Sequence, residues 1–306
     1  MRLINLFVLH LKKMIIIFLL HRYFVFINKL IPDKLYLKII YYLLMNSRLD
    51  LNKPRTFNEK LQWLKLYNRK SEYTTMVDKF SVKEYVSKII GNEYIIPTIA
   101  VYDKPEDIDF NILPDKFVLK TTHGGGGCGI IICKEKSSFN INSAINELNK
   151  SLKLNLYYNF REWPYKNIHK KILVEHLIVD DSNVDDLKDY KFFCFNGKPY
   201  CLKIDYNRFI DHHANYYDMN LNILPFGEAC CPPDLTQNIE KPMNFDKMVD
   251  IVEKLSKNIP FARIDLYNVQ GKIYFGEITF FPASGLGKFI PEEWDYKLGE
   301  LISLPL

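Results

Sequence analysis

Two carboxylates in apolar segments near the end of the sequence are the residues best placed for metal chemistry. Asp265 lies within residues 262–266 and Glu277 within 272–278, where an unpaired buried carboxylate would be costly. The intervening residues predict a β-hairpin, which would bring both carboxylates to one end. Two such groups facing one point suit Mg²⁺, which shares oxygen ligands with substrate phosphates. Arg263 projects on the same face as Asp265 and is a candidate to hold a phosphoryl group or a carboxylate. The alternative is a structural ion pair.

A glycine-rich turn is the second candidate element. Five of the six residues from 124 to 129 are glycine, out of 13 in the chain. Without Cβ atoms, the backbone N–H groups of such a turn can close on phosphate oxygens. The alternative is a flexible hairpin turn without a ligand. The glycines are Gly124, Gly125, Gly126, Gly127 and Gly129.

The residues around this turn limit which kind of phosphate-binding loop it can be. Lys120 ends the predicted strand 117–120 and can point its ammonium at the same phosphates. No Gly-Lys-Ser/Thr follows, which excludes a Walker A loop. A predicted strand follows, rather than the helix that a dinucleotide-binding turn requires. His123 is a candidate phosphate or substrate contact, with an ordinary loop histidine as the alternative.

The sequence Arg-Glu-Trp-Pro-Tyr at 161–165 is the candidate substrate segment. Arg161 can hold a carboxylate through two hydrogen bonds, and the ring of Trp163 can lie against a sugar. A packed surface turn is the alternative. Arg208 is a further candidate for substrate contact.

The elements that must position these residues are helices and short strands in irregular alternation. Thr56 or Asn58 can cap a helix that runs to residue 67, and a second helix is predicted over 76–90. The Asn196-Gly197 pair between two apolar runs predicts a hairpin. Mixed helices and antiparallel hairpins predict an α+β fold. The remaining predicted strands are 94–102, 130–133, 172–179, 190–195 and 198–204, and the remaining helices are 140–154, 246–257 and 292–302.

The amino-acid composition limits the class to which this protein can belong. A hydrophobic fraction of 48% and a charged fraction of 25% are those of a folded globular chain. The net charge of +5 fits an anionic ligand, but no long Lys/Arg run indicates nucleic acid as a partner. The 6 cysteines form no C-x-x-C pair, so we interpret them as reduced thiols in a cytoplasmic protein.

The N-terminal 45 residues are apolar and basic, with no acid before Asp33. Their apolar run is interrupted by His21 and Arg22, and so is too short to span a membrane. No small-residue cleavage site follows it. Either this segment lies on the inner membrane surface, with Lys12, Lys13, Arg22 and Lys29 against anionic lipid, or it forms helices packed on the protein.

Taken in order, these features resemble the ATP-grasp superfamily. The order is a strand lysine, a glycine-rich turn, Val-Glu-His-Leu-Ile at 174–178, Arg-x-Asp at 263–265 and a late glutamate. The sequence is most similar to the TupA-like branch, named for a teichuronopeptide biosynthesis protein and found with capsule and other surface-polysaccharide systems. The similarity runs from about residue 52 to the C-terminus, and its motifs lie at 56–63, 117–129, 161–165, 189–193 and 263–285.

The resemblance implies an ATP-grasp-like fold in which two mixed α+β lobes clasp ATP, with a helical N-terminal extension. It divides the chain into residues 1–50 (apolar, basic and helical), 51–115 (helical, preceding the ATP-grasp region) and 116–306 (nucleotide-binding and catalytic). ATP and Mg²⁺ are the implied cofactors.

The resemblance also implies roles for the nucleotide-site residues. Lys120 would contact the ATP phosphates under a flap formed by the five glycines. Glu175, with the backbone of His176 and Leu177, would hold adenine. The ribose contact stays open among Asp180, Asp181 and Asp185.

The remaining implied roles concern the metal and the phosphoryl group. Lys191 would be a second cation near the phosphates, beside Arg263 and His123 as catalytic candidates. Asp265 and Glu277 would bind Mg²⁺. Thr279 stands where many relatives carry an asparagine ligand, and a hydroxyl is a weaker ligand, so one firmly held Mg²⁺ is expected and a second stays open.

The implied activity is an ATP-dependent carboxylate–amine ligase working through an acyl phosphate. Its substrates would be a surface polysaccharide or its lipid-linked precursor and an amine donor. Catalysis by positioning and charge neutralisation requires no protein nucleophile. A glycosyltransferase of the same pathway is the runner-up, but its D-x-D motif appears only at Asp107 and Asp109, in a predicted loop. A non-catalytic nucleotide sensor is the third alternative.

Overall fold

The computed structural model describes residues 25–180, 187–207, 211–237 and 239–305. Arg208, Asp181, Asp185 and the basic residues before position 25 lie outside these ranges, so the predictions made for them are not addressed. The described elements mix helices with antiparallel strands, which confirms the α+β prediction. Among the described helices, none is both long and apolar enough to cross a membrane.

The helices and strands are as follows. The α-helices are α1 (Val25–Leu30), α2 (Asp33–Met45), α3 (Phe57–Tyr67), α4 (Glu72–Val77), α5 (Ser81–Ile90), α6 (Ile141–Lys153), α7 (Leu156–Phe160), α8 (Phe245–Ser256) and α9 (Glu293–Glu300). The strands are β1 (Thr98–Tyr102), β2 (Phe117–Thr121), β3 (Ile130–Cys133), β4 (Ile172–His176), β5 (Asp189–Phe195), β6 (Lys198–Tyr206), β7 (His213–Asp218), β8 (Gly227–Glu228), β9 (Phe261–Val269), β10 (Lys272–Thr279) and β11 (Phe289–Ile290). Short 3₁₀ turns lie at Asn92–Tyr94, Pro105–Asp107, Lys136–Ser138, Trp163–Tyr165 and Pro282–Gly285.

Within the described residues, two antiparallel sheets carry the fold. The first, sheet A, has the order β1-β4-β2-β3, and the second, sheet B, has the order β10-β9-β5-β6-β7. Strands β8 and β11 pair separately. Most predicted strands are confirmed within a few residues, whereas β7, β8 and β11 were not predicted.

Sheet A buries one face against a helix, whereas sheet B has buried core residues on both of its faces. In sheet A, Phe117 and Leu119 share a core with Leu148 of α6, so the intervening Val118 and Lys120 project from the opposite face. Sheet B shares a larger core with α3, α4, α5, α8 and α9. The helical residues 57–90 therefore pack on sheet B, and the predicted boundaries at 50 and 115 stay predictions.

The start of α3 is set by a capping box. The Thr56 hydroxyl accepts from the Glu59 backbone N–H at 3.1 Å, and the Glu59 carboxylate accepts from the Thr56 N–H at 3.1 Å. Asn58, the alternative cap, is buried and donates to the carbonyl of Gly287 at 2.7 Å. Of the two predicted caps, Thr56 is the one that forms.

The prediction of one helix over 76–90 is wrong. Asp78 ends α4, and its Oδ1 accepts from the backbone N–H groups of Phe80 at 2.9 Å and Ser81 at 2.8 Å. An aspartate that binds the backbone two and three residues ahead starts a new helix instead of continuing the old one. The break leaves Lys79 between the two helices.

Candidate active site

One row of side chains crosses sheet B from edge to edge. The strand register places Glu277, Asp265, Lys191, Lys203 and Tyr216 opposite one another on five consecutive strands. Residues in register across an antiparallel sheet project from the same face. The prediction that a hairpin brings Asp265 and Glu277 together is confirmed.

Arg263 gathers the predicted metal ligands into one cluster. Its Nε donates to Asp265 Oδ1 at 2.7 Å and its Nη2 donates to Oδ2 at 2.6 Å. Nη2 also donates to Glu277 Oε1 at 2.8 Å and to the hydroxyl of Thr279 at 3.1 Å. The ion pair offered as the structural alternative is thus present. It does not preclude a metal, because an ionised carboxylate has about four lone-pair sites.

The two carboxylates differ in depth and in charge preference. The side chain of Asp265 is 4% exposed and that of Glu277 is 40% exposed. Burial raises the pKa of Asp265 to about 7, against the attraction of Arg263. Burial also disfavours the Glu277 charge, but Lys79 and Arg263 outweigh it and lower the pKa of Glu277 to about 2. The more exposed carboxylate of Glu277 is therefore ionised at neutral pH, and it lies beside the buried carboxyl of Asp265, which ionises near neutrality.

A β-bulge in β10 aims Glu277 at this cluster. The register between β10 and β9 shifts between Phe275 and Glu277, leaving Gly276 as the extra residue. A Cβ at Gly276 would lie 2.9 Å from the backbone oxygen of Asp265. Glycine therefore permits the close approach that places Glu277 opposite Asp265.

Lys191 lies next to the carboxylates, and its implied role as a second cation near the phosphates stays a prediction. It is the direct strand partner of Asp265. Its ammonium is 2.5 Å from Asp189 and 2.8 Å from Asp205. A buried cation held on both sides in this way is fixed in position at the edge of the cluster.

On sheet A, Glu175 binds two lysines. The Lys120 ammonium lies 2.6 Å from its Oε2, and Lys83 of α5 forms an ion pair with its Oε1. Lys83 also donates to the carbonyl of Ile96 at 2.7 Å. Burial opposes the Glu175 charge, but Lys120 and Lys83 together hold the pKa of that carboxyl below its usual range. Lys83 was not among the predicted site residues.

The glycine-rich turn is packed at its base and open at its tip. A Cβ at Gly129 would meet the hydroxyl of Thr121 at 2.2 Å and that of Ser151 at 2.4 Å. At Gly126 and Gly127, both with positive φ, a Cβ would have no described atom within 4 Å. The open tip leaves room for a phosphate group against bare backbone.

Lys79 connects this turn to the carboxylates of sheet B. Its ammonium donates to the carbonyl of Gly124 at 2.5 Å and lies 3.7 Å from Glu277 Oε2. Its backbone N–H donates to the carbonyl of Thr122 at 2.9 Å. Sequence reasoning missed Lys79 because it assigned the residue to a continuous helix.

His123 lies beneath the turn. It is 2% exposed, and its Nε2 lies 3.1 Å from the carbonyl oxygen of Ser151. Burial lowers the pKa of His123 to about 4, helped by the charge of Lys170. The imidazole is therefore neutral at pH 7 and adds no positive charge to the turn. It cannot act there as a cation that binds phosphate.

A cavity of about 400 Å³ opens at the end of β4. It lies between His176–Val179, residues 92–97 and the β9–β10 turn, so both sheets contribute to it. The predicted hinge residues His176 and Leu177 line it directly. Glu175, whose carboxylate holds Lys120 and Lys83, directly precedes the lining residue His176 in β4.

In the segment 161–165, Arg161 faces the protein interior, whereas Glu162 contacts the turn that follows β10. Arg161 is 1% exposed, lies 3.0 Å from Asp33 and stacks 4.0 Å from the ring of Tyr36, so its guanidinium anchors α2. Glu162 Oε1 accepts instead from the Ser284 hydroxyl at 2.6 Å, in the turn that follows β10.

The other residues of this segment lie in the 3₁₀ turn Trp163–Tyr165, which packs against α4. Trp163 is half-buried there. Burial raises the pKa of Tyr165, with Glu162 and Glu277 adding to the effect and Arg263 opposing it. The hydroxyl of Tyr165 therefore lies within the field of the charged cluster.

The cluster has the donor set that Mg²⁺ requires. Asp265, Glu277 and the hydroxyl of Thr279 offer oxygen atoms only, and the Glu277 carboxylate is ionised at neutral pH. Mg²⁺ prefers such hard ligands and usually binds through one or two carboxylates together with substrate phosphates. The residues present therefore fit one Mg²⁺ held by two carboxylates.

Comparison with known proteins gives a family and a set of distant structures. A model of the TupA-like ATP-grasp family matches residues 59–303. D-Alanine-D-alanine ligase from Helicobacter pylori is 14% identical, with 80% of this chain and 69% of that chain covered and a TM-score of 0.43. The ATP-grasp ligase PsnB complexed with a minimal precursor is 10% identical, with coverages of 73% and 59% and a TM-score of 0.39. D-Alanine-D-alanine ligase from Bacillus anthracis complexed with ATP is 16% identical, with coverages of 74% and 63% and a TM-score of 0.40.

The chain thus spans between 59% and 69% of the length of these three chains. No curated protein matches the sequence.

Proposed function

Because the chain belongs to the TupA-like ATP-grasp family, we propose that it is an ATP-dependent carboxylate–amine ligase acting on a surface polysaccharide or its lipid-linked precursor. The observation that carries this proposal is the cluster of Arg263, Asp265, Glu277 and Thr279, joined through Lys79 to the glycine-rich turn. Cations, paired carboxylates and bare backbone there have the chemistry needed to hold a polyphosphate.

ATP is proposed to lie between the two sheets. The base occupies the cavity beside His176 and Leu177, and the phosphates extend past Lys120 and Lys83 towards the glycine-rich turn. Lys79, already bound to that turn and to Glu277, marks the path between the two sheets. Asp180 is the described candidate for ribose contact and lies next to the cavity-lining Val179.

Mg²⁺, when held by Asp265 and Glu277 with Thr279 as a neutral neighbour, supplies neutralisation of the phosphate charge. Arg263 and Lys191 provide fixed positive charge on the same face of sheet B. His123 supports the turn from below through Ser151. None of these side chains needs to form a covalent bond, because phosphoryl transfer is catalysed by positioning and electrostatics.

The proposed reaction has two steps. A substrate carboxylate oxygen attacks the γ-phosphorus of ATP. The bond between the γ-phosphorus and the β-phosphate oxygen breaks, so that ADP departs and an acyl phosphate remains. The amine of the second substrate then attacks the acyl carbon and expels phosphate, and its proton passes to phosphate or solvent. Arg263 is placed to hold the substrate carboxylate because its guanidinium projects into the cluster.

The acceptor side is proposed to include the turn Pro282–Gly285 and the segment 162–165. Ala283, Ser284 and Gly285 all have positive φ, a conformation that costs energy for residues other than glycine. The Ser284 hydroxyl holds Glu162 at 2.6 Å. Trp163 stays a candidate for sugar contact, whereas Arg161 supports the segment from within the protein.

Product analysis tests the function. The purified chain is incubated with ATP, Mg²⁺, candidate uronic acids and amino acids, and ADP, phosphate and amide products are measured. ADP and phosphate that appear only with both substrates support ligation. Sugar transfer from a nucleotide sugar without ATP consumption would establish the glycosyltransferase alternative and reject the ligase.

A peripheral contact with the inner membrane surface also stays a proposal. On α2, Leu35, Ile39 and Tyr42 are exposed at helical spacing, beside the exposed Lys34 and Lys38. An apolar stripe flanked by lysines suits an anionic lipid surface. Sedimentation with vesicles tests this: binding to anionic vesicles that fails for Leu35→Ser/Ile39→Ser supports it, and no binding of the full chain rejects it.

A further inference from the structure

A group of nitrogen, oxygen and sulfur donors surrounds Cys231, at the end of the sheet B row away from Glu277. The donor atoms of Asp205, His212 and Cys231 all lie within 4.8 Å of one another. The same holds for Glu228, Cys230 and Cys231. None of these residues belongs to the nucleotide site proposed above.

The fold builds this group from separate elements. Asp205 is the second-last residue of β6, and His212 immediately precedes β7. Glu228 ends β8 and pairs with Cys231 through an isolated bridge, with the Cys231 N–H donating to the Glu228 carbonyl at 3.1 Å. Cys231 is 1% exposed, so its thiol points into the protein and not into solvent.

The contacts within the group are those of ligands facing one point. His212 Nε2 lies 2.9 Å from Asp205 Oδ1. Glu228 Oε2 lies 3.7 Å from the sulfur of Cys231 and 3.4 Å from that of Cys230. Atoms bound to one tetrahedral ion with bonds of about 2.0–2.3 Å stand roughly 3–4 Å apart. Only small side-chain shifts are needed to bring the donor atoms of Asp205, His212 and Cys231, all within 4.8 Å of one another, onto a single ion.

Each carboxylate has one oxygen turned to the group and the other held outside it. Glu228 Oε1 accepts from Lys203 at 2.9 Å and from the hydroxyl of Tyr216. Asp205 Oδ2 lies 2.8 Å from Lys191. Such outer hydrogen bonds orient the ligands of protein metal sites.

We propose that Asp205, His212 and Cys231 bind a divalent metal ion of the Zn²⁺ type, which leaves the fourth position of a tetrahedral ion for another ligand. Mixed sulfur, nitrogen and oxygen ligands select Zn²⁺ over Mg²⁺, which takes oxygen ligands. Glu228 and Cys230 are left out because they form a separate group with Cys231 and are not grouped with Asp205 and His212.

The charge around the site supports a dication. The Cys231 thiolate and the Asp205 carboxylate carry the two negative charges that Zn²⁺ neutralises. Lys203, 2.9 Å from Glu228 and 3.6 Å from the sulfur of Cys231, balances the neighbouring Glu228 carboxylate. It also donates to the sulfur that would bind the metal.

The site connects to the proposed ligase through Asp205. A metal on Oδ1 would fix the carboxylate whose Oδ2 holds Lys191, making Asp205 a positioning residue for that lysine. This consequence rests on the proposed function, whereas the metal site itself does not.

Metal binding to the full-length protein tests the proposal without any ligase substrate. The chain is stripped with a chelator and titrated with Co²⁺, a coloured stand-in for Zn²⁺, in excess Mg²⁺. One Co²⁺ per chain with a tetrahedral spectrum and a thiolate-to-cobalt charge-transfer band is expected, and Zn²⁺ should displace it. Absence of stoichiometric binding or of the thiolate band in the unmodified chain overturns the site.

Variants test the ligand assignment. Cys231→Ser and His212→Asn should each weaken Zn²⁺ binding at least tenfold, whereas Cys133→Ser, a buried thiol in sheet A, should leave it unchanged. Loss in Cys230→Ser with retention in Cys231→Ser would overturn the assignment. Circular dichroism shows whether each variant is folded. Metal binding is measured without any ligase substrate, so a negative ligase assay would reject the proposed function without rejecting the metal site.

Discussion

The ammonium nitrogen of Lys79 lies 3.7 Å from a carboxylate oxygen of Glu277. The same nitrogen donates to the carbonyl of Gly124 at 2.5 Å, so one lysine joins the glycine-rich turn near sheet A to the carboxylates of sheet B. A cation thus bridges the cleft where phosphates and Mg²⁺ are proposed to bind. Ligand binding must therefore rearrange or share this contact.

Replacing Lys79 should loosen the glycine-rich turn. In Lys79→Met the contacts to Gly124 and Glu277 are lost, and the backbone amides of 124–129 should exchange hydrogen faster, because local opening costs less free energy. Hydrogen exchange followed by mass spectrometry measures this. Lys88→Met, which removes an exposed pair with Glu84, is the matched control. Unchanged exchange of 124–129 in Lys79→Met would show that the contact does not hold the turn.

Mg²⁺ affinity should rise with pH through neutrality. The pKa of Asp265, raised to about 7 in the fold, means that this carboxyl keeps its proton below that pH. Mg²⁺ binds the ionised form, so binding releases a proton and becomes tighter as pH rises, by about fivefold from about pH 6 to about pH 7. Calorimetric titration of the protein with Mg²⁺ measures the affinity. A pH-independent affinity would contradict an Asp265 that ionises near neutrality.

Removing the charge of Glu175 should destabilise the fold. Glu175→Gln leaves Lys83 and Lys120, which are 13% and 19% exposed, beside each other without their shared carboxylate. Breaking such a buried pair lowers the free energy of unfolding by about 3 kcal/mol. Urea denaturation measures the change. Glu84→Gln, on an exposed pair, should leave it nearly unchanged, and equal effects of the two substitutions would show that the Glu175 pairs do not stabilise the fold.

Two glycines of the turn should respond differently to alanine. Gly129→Ala places a Cβ 2.2 Å from Thr121 at positive φ, so the free energy of unfolding should fall by about 2 kcal/mol or more. At Gly125, where φ is not positive, the new Cβ meets only Leu156, at 3.1 Å, and the loss should stay below about 1 kcal/mol. Urea denaturation of both variants checks the difference. A Gly129→Ala variant as stable as Gly125→Ala would contradict the packed base of the turn.

Local sequence patterns were sufficient to predict the carboxylate hairpin and the glycine-rich turn. Alternation of polar and apolar residues around Asp265 and Glu277 fixes both the strand and the face on which each carboxylate lies. The glycines at 124–129 likewise indicate directly a backbone that a ligand can approach closely. These signals lie within a few residues of the groups that they position.

Contacts between distant segments could not be predicted in the same way. Lys79 reaches the site only because Asp78 caps a new helix instead of continuing the old one. Arg161 has the chemistry of a carboxylate ligand, but Asp33 and Tyr36 of α2 bury it. His212 and Cys231 meet only through the pairing of β6 with β7 and the packing of β8 against β7. In each case the partner is far away in sequence and leaves no local pattern.

The central claim is that Glu277 and Asp265 hold the Mg²⁺ of a bound Mg-ATP. Calorimetric titration of ATP into wild type and Glu277→Gln, with and without Mg²⁺, tests it most directly. The 40% exposed side chain of Glu277 makes this variant the one that best preserves the fold, and Glu253→Gln, on a surface pair with Lys198, is the control. Mg²⁺ should tighten ATP binding in wild type and Glu253→Gln by at least about tenfold more than in Glu277→Gln. Equal enhancement by Mg²⁺ in all three proteins would contradict the assignment.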